Sequence, residues 1–237
     1  EQKAERKRQI GFFQPFVHRL LLCSSEFAKL DTERIVRIMS KFNGRRWRFR
    51  PVSVDQLSDR LLLANLYATQ FLTVIIGIVW IILQGRNVLS LLAVPETADF
   101  VLWGTGFATL VVAADLLLAR FLREDAMDDG GINERLFRRR AVWHIALIAA
   151  LVAFCEELLF RGAVQYNLGP YWTSVLFAAV HVRYLRHWLP TGLVFLVSYG
   201  LGWIMEETGT IWAPMVAHFL VDFTMGLIIR FRGEGKA

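Results

Sequence analysis

The chain has 237 residues, 55% of them hydrophobic, and a mean hydropathy of +0.40. Its charged residues make up 20%, leave a formal net charge of +6 and are gathered into a few blocks, which excludes an ordinary water-soluble globule and points to a chain that crosses a membrane several times. Basic blocks beside long apolar runs suit membrane surfaces, so no nucleic-acid partner is expected.

Residues 1–60 come first, with fourteen Lys or Arg against seven Asp or Glu. Aromatic side chains are mixed in among these basic ones, in Gly11-Phe12-Phe13-Gln14-Pro15-Phe16 and in Arg45-Arg46-Trp47-Arg48-Phe49-Arg50. This predicts a cytoplasmic or interfacial region lying against anionic lipid headgroups, rings at the interface and cations outside it; a soluble basic tail satisfies the same pattern. Two apolar runs at 61–83 and 100–121 are each long enough to cross about 30 Å of hydrocarbon. Arg120, Arg123, Arg135, Arg138, Arg139 and Arg140 crowd the loop after them. The second half reads as helices at 142–167, 171–187, 189–205 and 211–229, with the turn signal Gly169-Pro170 between the first two. Basic residues at Arg183, Arg186, Arg230, Arg232 and Lys236 fall on the same side as the earlier blocks, and the opposite loops hold Arg86 alone. The expected fold is therefore all-α, a polytopic transmembrane bundle of about six spans with both termini cytoplasmic. It divides into a basic region 1–60, two helices and a loop over 61–140, a core over 141–230 and a tail over 231–237.

The chemistry concentrates in that core. Glu156, Glu157 and Arg161 lie within a segment otherwise apolar enough for a bilayer, where a charge costs about 2.5–3.5 kcal/mol on insertion scales. At 100° per residue, Glu157 and Arg161 share a helix face as an ion pair and Glu156 points elsewhere, a carboxylate left available to move protons. If the chain reverses at Gly169, Glu156 and His181 lie at nearly equal depth, roughly 18–20 Å from the turn. His218 and Asp222, four apart, share a face of the last helix. Cys23 and Cys155 are separated by region and read as structural thiols.

Glu156-Glu157-x-x-x-Arg161, Phe177-x-x-x-His181 and His218-x-x-x-Asp222, in this order, resemble the three-motif signature of the CPBP intramembrane proteases, also called the CAAX protease and bacteriocin-processing or Abi family, whose eukaryotic relatives are the type II CAAX prenyl endopeptidases. The resemblance covers 142–229, and the first 140 residues add nothing to it. It implies an intramembrane endopeptidase that hydrolyses a peptide bond of a membrane-associated protein or peptide, in a bacterial plasma membrane. Glu156 with His181 would activate water, His218 with Asp222 would stabilise the oxyanion or bind a metal, and Glu157, Arg161 and Phe177 would support them. Glu156, His181, His218 and Asp222 are donors of the kind zinc accepts, although His-Glu-x-x-His is absent; a route without metal stands beside it. The family's third motif ends in Asn or Asp. An ionised Asp222 cannot donate a hydrogen bond to an oxyanion, so it is expected to orient His218 or to ligate a metal.

Two other classes compete. A proton-coupled transporter would distribute its polar groups over both halves as inverted repeats, and here all lie in the second. A non-catalytic membrane partner, or an immunity or regulatory protein on the same fold, would keep the helices and use the basic N-terminal region as its contact surface. Among the remaining polar residues, Glu206 and Glu207 read as a solvated outer helix end, and His18, His144 and His187 as interfacial. Gly192, Gly200, Gly202 and Gly226 are expected to let helices approach closely.

Overall fold

The computed structural model describes residues 58–121, 131–181 and 188–234. The expected headgroup-binding segment, Cys23 and His18 lie outside the described residues, as do Arg183, Arg186 and His187. Every regular element described is helical: α1 (Asp59–Leu83), α2 (Val88–Leu91), α3 (Asp99–Phe121), α4 (Ile132–Phe137), α5 (Val142–Glu157), a π-helical segment (Leu158–Val164), α6 (Gln165–Val180), α7 (Trp188–Thr208) and α8 (Trp212–Glu234). The expectation of an all-α membrane bundle is met.

α1 begins where Ser58 caps it and accepts from the Leu61 N–H, and it buries a narrow stripe, Leu62, Gln70, Gly77 and Ile81. Elsewhere it presents large apolar side chains, with Phe71 68% and Leu83 81% exposed. A helix that buries four of its 25 residues and exposes its aromatics would aggregate in water, so this surface faces lipid.

Among the described residues, five stretches are long and apolar enough to span: Asp59–Leu83, Asp99–Phe121, Val142–Val180, Trp188–Thr208 and Trp212–Arg232. The difference from six lies in the third, a run of 39 residues that is not straight. Gly169 adopts φ 73° and ψ 173°, and beyond it the Phe177 ring packs 4.8 Å from that of Phe160, centroid to centroid. Seventeen residues along a straight helix would be about 25 Å apart, so the chain folds back at Gly169-Pro170 as expected. The returning limb is shorter than the anticipated 171–187. It stops at Val180, about 16 Å from the turn and so near half the hydrocarbon thickness. The stop has a local cause. His181 donates its backbone N–H to Ala178 O at 3.2 Å, while its ring Nδ1 takes the Phe177 carbonyl at 2.7 Å, replacing the bond that would continue the helix.

Two ends of the bundle differ in chemistry. At one, Arg135 pairs with Asp59 at 3.0 Å and Arg230 donates to the Arg140 carbonyl, so the start of α1, α4, the start of α5 and the end of α8 meet among the basic residues. At the other, polar side chains reach backbone carbonyls just before the hairpin turn, where lipid supplies no hydrogen bonds. Gln84 Nε2 donates to Ala163 O at 2.8 Å and Arg86 Nη1 to Gly162 O at 2.6 Å. The guanidinium lies 4.1 Å over the Tyr166 ring. Burial pushes its pKa below the usual arginine value, with Tyr166 acting the other way. Arg86 is thus a cap.

Helices meet where small residues allow it. A Cβ at Gly104 would stand 2.8 Å from both Ala213 O and the Val216 side chain, setting α3 against α8, and one at Gly77 would stand 3.2 Å from the Leu159 backbone. Close approach holds at Gly200 against Phe107, Gly202 against Gln165 and Gly226 against Ile145, but nothing stands within 4 Å of a Cβ at Gly192. That expectation is corrected at Gly192, which closes on no helix among the described residues.

Arg86→Leu removes the charged hydrogen bond to the Gly162 carbonyl and should destabilise the protein by about 1–3 kcal/mol. Arg138→Ala, which removes only the exposed pair with Glu134, should change stability by less than about 0.5 kcal/mol. Thermal unfolding in detergent, followed by tryptophan fluorescence, compares the two.

Candidate functional site

Glu157 is completely buried, and a carboxylate in that position demands partners on both oxygens. Arg161 Nε lies 3.1 Å from its Oε2, the expected i,i+4 ion pair. The other oxygen has a partner that spacing alone does not give: His218 Nδ1, 2.7 Å from Oε1. The first motif is therefore joined directly to the third. Since a carboxylate only accepts, Nδ1 carries the proton, and Nε2 faces Asp222 Oδ2 at 3.5 Å.

Arg161, also fully buried, extends the cluster. Its Nη2 donates to Ser198 O at 2.9 Å and Ser198 Oγ at 3.0 Å, binding α7. Its guanidinium carbon lies 5.1 Å from the Phe177 ring centroid. Phe177 in turn has the His181 ring 4.5 Å away and the His218 ring 6.4 Å away. The second motif thus meets the first and third through one aromatic side chain. A carbonyl is the acceptor at His181 Nδ1, so this ring too is protonated at Nδ1, with its lone pair on Nε2.

Glu156 is only partly buried. Its Oε1 accepts from Gln70 Nε2 at 3.2 Å. The first 140 residues add nothing to the resemblance, yet α1 from among them reaches this carboxylate. The available signal was an amide in the middle of an apolar run. Another contact of α1 is Tyr67 Oη with His144 Nε2 at 2.8 Å, so His144 is anchored between helices. Glu206 and Glu207 lie exposed in the last turn of α7, as expected.

The anticipated zinc ligands were tested against this geometry. Among the described residues no three His, Cys, Asp or Glu side chains stand together as a metal-holding group. His218 has one nitrogen committed to Glu157, and Glu156 is turned to Gln70. The donor set as arranged does not fit a zinc ion.

Taken together, a bundle of lipid-facing helices encloses charged and imidazole groups on three of its segments, at a depth where such groups are otherwise excluded. It is a polytopic membrane protein built around a buried polar site. Residues 138–224 match the type II CAAX prenyl endopeptidase Rce1-like family. The "Uncharacterized protein YpbD" of Bacillus subtilis (strain 168) is 39% identical over 147 residues, 62% of this chain and 77% of that protein. The chain belongs to the Rce1-like family. No solved structure matches it.

Breaking a buried ion pair from one side leaves an unmatched charge. Glu157→Gln and Arg161→Met should each destabilise by about 3–5 kcal/mol, and the double variant by clearly less than their sum. Thermal unfolding of the four proteins in one detergent gives the coupling; additive losses would show that the two side chains do not act as a pair.

Proposed function

We propose that this protein is an intramembrane endopeptidase that hydrolyses a peptide bond of a membrane-associated protein or peptide by a glutamate-based, metal-independent route. The observation that carries the reading is the convergence of all three motifs on one cluster, through the Glu157–His218 bond at 2.7 Å and the Phe177 ring between His181 and His218.

In this reading Glu156 is the general base. It takes a proton from water as the water oxygen attacks the scissile carbonyl carbon, and His181 Nε2 shares that proton with Glu156. The carbonyl becomes a tetrahedral oxyanion. His218, as an imidazolium held at Nδ1 by Glu157, donates from Nε2 to it, and Asp222 orients the ring. The C–N bond then breaks as Glu156 returns its proton to the departing amine. General base catalysis contributes roughly 10²–10⁴-fold and an oxyanion donor roughly 10²–10³-fold. Glu157, Arg161 and Phe177 keep the geometry rigid. His181 lies twelve residues beyond the Gly169 turn, about 18 Å along the limb, so substrate enters laterally or from the end bearing the basic residues. That end is assigned to the cytoplasm of a bacterial plasma membrane, with anionic headgroups against it.

Membrane peptides from cells carrying wild-type protein, Glu156→Ala or His181→Ala test the reading, with a prenylated CAAX peptide assayed in parallel on the purified proteins. Cleavage should fall at least 10²-fold in both variants at normal expression. If both keep the wild-type peptide pattern, hydrolysis is not the function and the non-catalytic partner reading takes its place. Purified protein freed of metal by chelation should keep full activity, and metal analysis of the same sample should find none bound. Activity lost on chelation and restored by zinc would sink the metal-independent route.

A further inference from the structure

We propose that Gln70 belongs to the site as a positioning residue: its amide N–H fixes the Glu156 carboxylate, and its Oε1 accepts a hydrogen bond from the attacking water. This rests on the hydrolytic reading above.

Four observations carry it. Gln70 is 7% exposed and is one of only four residues that α1 buries. Its Nε2 lies 3.2 Å from Glu156 Oε1, and a carboxylate partner fixes the amide's orientation, since only the NH₂ end can donate. Its Oε1 is buried with no protein partner. Such an acceptor in lipid is costly unless something donates to it. Beside a general base the donor required by the chemistry is a water, whose two hydrogens need two acceptors if its lone pair is to be aimed at a carbonyl carbon. One hydrogen passes to Glu156; the other stays on the oxygen, directed at Gln70 Oε1.

The bland alternative is a polar clasp that holds α1 to α5. α1 does not depend on one. It is held by Tyr67 on His144 at 2.8 Å, by Gln84 on Ala163 O at 2.8 Å, by Asp59 with Arg135 at 3.0 Å, and by Gly77 closing on the Leu159 backbone. An interhelical hydrogen bond in a membrane averages about 0.6 kcal/mol, little beside these anchors. Gln70 is spared for the carboxylate it touches.

Gln70→Met keeps the length and removes both polar ends, Gln70→Glu keeps the shape and removes the donor, and Gln70→Asn keeps the amide one carbon short. The probe is a synthetic peptide spanning the cleavage that distinguishes wild-type from Glu156→Ala membranes. For Gln70→Met and Gln70→Glu, kcat should fall roughly 10- to 100-fold with KM within about twofold, and Gln70→Asn should keep the larger share. Melting temperatures should stay with the wild type. Wild-type kcat in Gln70→Met overturns the proposal, as does a raised KM at unchanged kcat, which would make Gln70 a substrate-binding group. Should Gln70→Met not fold, Gln70→Asn decides: a reduced kcat at wild-type stability supports the role, and an unchanged one removes it. If Glu156→Ala itself leaves every peptide unchanged, the hydrolytic reading fails first and this inference with it.

Discussion

The structure depends on a carboxylate with no access to water. Glu157 is fully buried in a helix that the bilayer would otherwise favour as plain hydrocarbon, and its two oxygens dictate what surrounds it. One requires Arg161 a turn later on the same helix; the other requires His218 and so fixes the rotation of α8 about its axis. Arg161 has more donors than one carboxylate can use, and the surplus reaches Ser198 on α7. Its flat cation lies over Phe177 on the returning limb. Lipid gives helices little hydrophobic reason to associate, and here one buried charge organises four segments.

The same charge explains how two adjacent glutamates diverge. Consecutive residues on a helix are 100° apart, so a carboxylate satisfied on the inner face places its neighbour toward a different helix. Glu157 is held by a guanidinium and an imidazole. Glu156 has a neutral amide beside it, which restrains its position without neutralising it. The hairpin turn completes the arrangement. By folding back at Gly169 and ending at Val180, the short limb delivers His181 to mid-depth, and Gln84 and Arg86 close the carbonyls at the turn.

The fold was legible where length and apolarity decide it, and the site where spacing does. The runs at 61–83 and 100–121 became α1 and α3 nearly to the residue, and the turn at Gly169-Pro170 follows from its dipeptide. Glu157 with Arg161 and His218 with Asp222 follow from a period of 3.6. Other features come from contacts between distant parts of the chain, which periodicity within one segment does not contain. The Glu157–His218 bond joins residues 61 apart, and the Gln70–Glu156 bond joins residues 86 apart. The early stop at Val180 depends on a histidine ring competing for its own helix's carbonyl, a local event invisible to hydropathy. Gly192 was misread because glycine at helical spacing signals close packing only when another helix is there to use it.

Charge bookkeeping connects the rigid pair to the proposed reaction. In a low-dielectric interior, creating net charge is far more costly than moving it a few ångströms. Glu157 and Arg161 cancel and stay constant throughout. As Glu156 accepts the water proton it becomes neutral, while the carbonyl oxygen becomes an anion, so one negative charge migrates across the site and the total does not change. The group that faces the new charge is His218, already positioned by the carboxylate that does not react. A site with Glu157 alone would be locked in its ion pair and inert, and one with Glu156 alone would have no fixed imidazole to receive the migrating charge. Two adjacent carboxylates, one held in an ion pair and one left to take up the proton, provide both functions within a single helical turn.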